Sequence, residues 1–260
     1  MRCDEVMKVI EKTYPVCAAL GFDNVGLLAG RLEKEVHKIY IAMDATDEVI
    51  QEAVSFGADM LITHHPLIFS PLKRVTTQDF IGRRVVQLIQ EDIAYYAMHT
   101  NYDVLGMASL ATNMLGLEQA EVLDETWESD AGIEGIGRIG NLSETTSLEE
   151  CCNFVKNCFD LDHVRVFGDL EKMVSRMAIC PGSGKSVIDV AINKGANVLV
   201  AGDIGHHEGI DAVARGLSVI DAGHYGTEYI FMKDMKEYFE KELPELIIGT
   251  AAVEHPFQTI

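Results

Sequence analysis

The stretch Glu52–His65 (EAVSFGADMLITHH) returns in altered form as Asp189–His207 (DVAINKGANVLVAGDIGHH), and this repeated unit is the strongest constraint on the fold. In both copies a helical stretch stops at a glycine, Gly57 or Gly195. A short apolar run follows, Asp59–Thr63 or Asn197–Ala201, too short for a helix and of the type buried inside a parallel sheet. Each copy closes on a histidine pair, His64-His65 or His206-His207. Further strands are expected before each unit, at Lys38–Met43 and Met177–Cys180, and after it, at Ile93–Met98 and Leu217–Asp221. Strand, helix and strand joined by short connections predict an α/β fold of two related halves with mostly parallel sheets. We place these halves at residues 1–124 and 125–260 and expect them to interlock. In sheets of this kind ligands gather beyond the carboxyl ends of the strands.

The connecting segments carry their own signals. Apolar residues at helical spacing predict a helix from Asp4 to about Leu20. The glycine-punctuated run Gly21–Gly30 reads as a loop leading into a strand. Thr46 or Asp44 can cap a helix over Asp47–Phe56, and Ser147 with Glu150 forms a capping box for a helix reaching Phe159. The acidic stretch from Leu117 to Asp130, with Gly132, Gly135, Gly137 and Gly140 behind it, reads as the segment crossing between the halves.

Hydrophobic residues make up 48% of the chain, enough for a packed core. The opening MRCDE breaks its apolar residues with charge, and no apolar run reaches about 18 residues, so neither a signal peptide nor a membrane span is expected. The expected address is the cytoplasm. Six cysteines, at 3, 17, 151, 152, 158 and 180, include no Cys-x-x-Cys pair and are expected as reduced thiols. A net charge of -20 counts against nucleic acid as a partner and raises the local concentration of cations.

Chemistry concentrates at the strand exits. Adjacent residues on an extended strand point to opposite sides, so His64 and His65, at a turn into Pro66, can serve different ions. His99-Thr100-Asn101-Tyr102-Asp103 follows the next expected strand and adds a histidine and a carboxylate at the same sheet edge. His224 and Glu228 follow another strand and, four residues apart, share one face of a helix. Imidazole and carboxylate together suit Zn, Mn, Fe, Co or Ni. Five ligands, His64, His65, Asp103, His224 and Glu228, exceed what a single catalytic zinc takes, and two ions bridged by a carboxylate fit better, with Glu228 as the bridge.

These residues carry a resemblance. Asp23-Asn24-Val25-Gly26-Leu27, Ile62–Leu67, His99–Asp103, Gly202–His207 and Ala222–Glu228, in this order, resemble the Nif-three-like dinuclear metal-centre family, also labelled GTP cyclohydrolase type-two homologues. The resemblance spans nearly the whole chain. It implies the Nif-three-like fold, two divalent ions per chain on His64, His65, Asp103, His224 and Glu228, and a toroidal homohexamer with sites facing an inner cavity. Longer relatives carry an inserted middle domain, for which the segment 117–170 leaves no room.

Cys180–Ser186 ends in Gly-Lys-Ser like a phosphate-binding loop, yet position 179, where that motif needs glycine, is isoleucine. The turn could still offer backbone N–H groups to an anion. Two functions remain open. One is a metal-dependent hydrolase of a nucleotide-like or phosphoester substrate, of the GTP cyclohydrolase kind, with His99, His206 or His207 moving protons. The alternative is a non-catalytic ring, acting as metal-dependent scaffold or metal handler. The surplus of histidines favours the first, and the lack of a substrate-specific motif favours the second.

Overall fold

The computed structural model describes residues 1–258. In chain order its strands are β1 (Gly26–Ala29), β2 (Lys38–Ala42), β3 (Met60–Thr63), β4 (Ala94–Ala97), β5 (Glu118–Ser129), β6 (Gly132–Ser147), β7 (Arg165–Phe167), β8 (Met173–Ser183), β9 (Val198–Gly202), β10 (Ser218–Asp221) and β11 (Ile247–Thr250). The chain forms two compact units, Met1–Tyr102 with Tyr229–Glu254, and Asp103–Glu228 with the residues from His255 on. It therefore passes from one unit to the other at Tyr102/Asp103 and returns at Glu228/Tyr229.

The first unit is built on the sheet β1-β4-β3-β2-β11. β4, β3, β2 and β11 run parallel, and β1 joins antiparallel to β4. Every residue of β3 (MLIT) and β4 (AYYA) is buried, the burial that their unbroken apolar sequences require. The helix Asp47–Phe56 lays Ile50 and Ala53 into the core beside Leu61, Leu88 and Tyr95. Its start is fixed by the Thr46 side chain, which accepts from the Val49 amide at 3.1 Å, and its end by Gly57 in the left-handed region (φ 75°). The opening helix, Cys3–Thr13, is shorter than its periodicity predicts; Pro15 follows, and the chain continues as a 3-10 turn at Val16–Ala18.

The second unit holds the sheet β5-β6-β8-β9-β10-β7. β8, β9 and β10 are parallel and carry the second copy of the repeat, while β5, β6 and β7 enter antiparallel. Both sheets are thus mixed, and the second is less parallel than its repeat implies. The acidic segment read as a crossing is a long hairpin, with strands of 12 and 16 residues. Its glycines mark close backbone approach as well as turns: a Cβ on Gly135 would strike the Asp124 carbonyl of the paired strand. The Ser147/Glu150 capping box opens the helix Leu148–Cys158 as its sequence requires. Among the described residues no helix is long and apolar enough to cross a membrane.

Candidate metal centre

In the first unit β3 delivers a histidine pair and β4 a third histidine. Pairing to β2 continues one step past β3, with the His64 and His65 amides donating to Ala42 and Met43 carbonyls at 3.2 and 2.9 Å. The chain then turns around the Tyr95 hydroxyl, which accepts from the Leu67 amide at 2.7 Å and lies 2.7 Å from the Thr63 hydroxyl. Thr63 in turn donates to the His65 carbonyl at 2.7 Å. The rings of His64 and His65 lie 4.9 Å apart, and that of His99 lies 5.3 Å from His64 and 5.7 Å from His65. One ring nitrogen from each of the three falls within 4.8 Å of the others, close enough to hold one ion. His64 is fully buried, against Tyr102 and Phe231.

In the second unit β10 leads into the short helix His224–Glu228. Its single turn sets His224 Nε2 3.0 Å from Glu228 Oε2. Glu228 is buried, and Gly182 lies against it: a Cβ there would strike the Glu228 carboxylate and reach 3.5 Å from His224 Nε2. Asp103 opens a π-helical turn, Asp103–Met107, a local widening frequently found at functional sites. The buried Cys180 thiol is pushed far above its ordinary range by desolvation first, and then by the charges of Asp103, Glu228 and Asp124.

One pattern runs through all four of these histidines. His64 Nδ1 lies 2.8 Å from the Met98 carbonyl, His65 Nδ1 2.9 Å from Asp44, His99 Nδ1 2.9 Å from Asp23, and His224 Nδ1 2.7 Å from Asp203. A carbonyl or carboxylate oxygen only accepts, so each Nδ1 carries its proton and donates. A partner holding one ring nitrogen is the arrangement found behind histidines that bind metal through the other. Imidazole donors, and carboxylates such as those of Glu228 and Asp103, suit divalent transition ions.

His99 carries an additional support. The Asp23 side chain is fully buried and accepts from the His99 ring, the Thr100 amide at 2.9 Å and the Thr100 hydroxyl at 2.5 Å. Burial opposes the charge on Asp23, but these donors outweigh it and hold the carboxyl well below its usual range. His206 and His207 stand elsewhere, exposed at the start of the helix His206–Ala214, and no metal-ligand group among the described residues includes them. The Gly-Lys-Ser turn is already engaged: the Gly182 amide donates to Thr227, the Gly184 amide to Gly202, and Lys185 pairs with Glu208 at 2.5 Å. Of the residues that position the histidines, Asp44 appears in the sequence reading only as a candidate helix cap, and Asp23 and Asp203 only inside motifs. No spacing rule links an aspartate to a histidine 21 or 76 residues away.

A mixed-sheet α/β protein with imidazoles anchored at its strand exits defines a class of candidate metal proteins. The chain matches the Duf34/NIF3 (NGG1p interacting factor 3) family model over residues 1–256 and belongs to that family. It is 34% identical over 266 residues to a GTP cyclohydrolase 1 type 2 homolog of Clostridium perfringens, all of both chains being covered. Among solved structures it is similar to a Bacillus cereus protein related to NIF3, with a TM-score of 0.91 at 26% identity, covering 100% of this chain and 99% of that one. The reduced HcgD of Methanocaldococcus jannaschii matches with a TM-score of 0.82 at 32% identity, over 96% of this chain and 97% of that one.

Proposed function

We propose that His64, His65, Asp103, His224 and Glu228 together hold two divalent ions, drawn from Zn, Mn, Fe, Co and Ni, and that the protein is a metal-dependent hydrolase of a nucleotide-like substrate. The observation that carries this reading is the anchoring of each histidine through Nδ1, which fixes the ring in the way a backing group fixes a metal-bound histidine. Asp103 and Glu228, both in the second unit, act together on the buried Cys180 thiol. The five residues would hold the ions, with the Glu228 carboxylate as the candidate bridging group. The name carried by the relatives, GTP cyclohydrolase 1 type 2 homolog, supports a nucleotide as the substrate class.

When bound, two such ions polarise a carbonyl or phosphoryl oxygen and lower the pKa of water toward neutrality. The chain's own contribution is placement and proton transfer. Asp23 holds the His99 ring in one orientation beside His64 and His65, and this assigns proton transfer to His99 ahead of His206 and His207. The test is metal content and turnover in one set of proteins. Wild type should hold two ions per chain, His64→Ala and His224→Ala fewer, and Glu228→Gln should abolish turnover of GTP or a member of a phosphoester panel. Two ions retained in both alanine variants would contradict the ligand assignment, and fully loaded protein inert on every substrate would favour the scaffold.

A further inference from the structure

We propose that Asp44 and Asp203 are positioning residues for the metal centre, one device built twice, each backing a ligating histidine within its own unit. This inference rests on the proposed metal site. In the first unit Asp44 stands just past the end of β2, and the histidine it holds, His65, stands just past β3, the parallel neighbour of β2. In the second unit Asp203 follows β9 and holds His224, which stands beyond β10, the parallel neighbour of β9. In each unit, then, one strand exit supplies a carboxylate to the histidine from its parallel neighbour, the second pair standing one strand later in the repeat than the first.

The second copy shows how much of the backbone is committed to that contact. Asp203 is left-handed (φ 55°), a conformation that side chains other than those of glycine, asparagine and aspartate seldom adopt. The bend is clamped from the neighbouring exit by Asp221, which accepts from the Ile204 amide at 3.1 Å and the Gly223 amide at 3.0 Å. Asp221 is itself paired with Arg165. Both loops that meet at the Asp203–His224 hydrogen bond are therefore fixed by a single carboxylate. In the first copy the Met43 carbonyl receives the His65 amide at 2.9 Å, which sets Asp44, the next residue, beside the ring.

The charge distinguishes these two histidines from His64. An anionic partner stabilises positive charge on the imidazole and makes Nε2 a better donor to a cation, whereas the Met98 carbonyl behind His64 is neutral. Loss of such a partner typically weakens metal binding roughly 10–100-fold. Its effect should fall on the binding step that uses the backed histidine and spare the step that does not.

Titration of the metal-free protein with Zn or Mn, followed calorimetrically, separates the possibilities. Asp44→Asn and Asp203→Asn keep a hydrogen-bond acceptor, and asparagine tolerates the left-handed backbone at 203, so chiefly the charge is removed. Each variant should weaken one of the two binding steps by roughly 10–100-fold, leave the other step unchanged, and unfold at the wild-type temperature when metal-free. Two wild-type-like steps in both variants would overturn this inference while leaving the metal site standing. Loss of both steps together, or a lowered unfolding temperature of the metal-free variants, would mark the aspartates as structural and also overturn it. A wild-type protein that takes up no ion would instead overturn the proposed site itself.

Discussion

Gly182 shows how tightly the second unit is built around Glu228. Its φ of 73° lies in the left-handed region, and its missing Cβ is the space that the Glu228 carboxylate occupies. Gly182→Ala should cost about 1–2 kcal/mol for the backbone conformation alone. The collision comes on top of that and displaces the carboxylate. We expect lower stability in chemical denaturation together with weaker metal uptake, and unchanged uptake would mean that Glu228 is not a ligand. At this scale the sequence disclosed the residues that offer lone pairs, because an adjacent histidine pair and a His/Glu pair four apart are visible as spacings. It did not disclose what holds them. Asp44 lies 21 residues before His65, Asp23 lies 76 before His99, and Asp203 lies 21 before His224, so only the paired strands reveal the partners.

Among the elements, β3 and β4 with the turn after them position the first histidines, and Tyr95 is the tie between strand and turn. Its hydroxyl is buried, pushed up to about 12 by desolvation, and accepts the Leu67 amide while lying against Thr63. Tyr95→Phe leaves that amide without its acceptor and should cost about 1–3 kcal/mol. It should also loosen the turn that fixes His65, so denaturation midpoint and metal affinity ought to fall together; a fall in neither would contradict the role given to the turn. The buried strands were legible because a strand covered on both faces has an unbroken apolar sequence, as in MLIT and in VLVAG. The helix from Asp47 was legible because Thr46 and Gly57 are specific start and stop residues. The hairpin β5–β6 was not. Much of β5 is exposed and acidic, and β6 is rich in glycine, so its sequence reads as a crossing loop until the close backbone contact at Gly135 is seen.

For the whole molecule, a net charge of -20 and a family spanning residues 1–256 set the frame, and the assignment of the ligands is the central claim. Of the proposed ligands, His64 and His65 belong to one compact unit and Asp103, His224 and Glu228 to the other. His64, His65 and His99 form a competing group lying within the first unit alone. A crystal of the Zn- or Mn-loaded protein, with data on both sides of the metal absorption edge, distinguishes the two arrangements directly. The proposed ligand set predicts two anomalous peaks per chain, bonded to His64, His65, Asp103, His224 and Glu228. A single peak on His64, His65 and His99, or none, would contradict it.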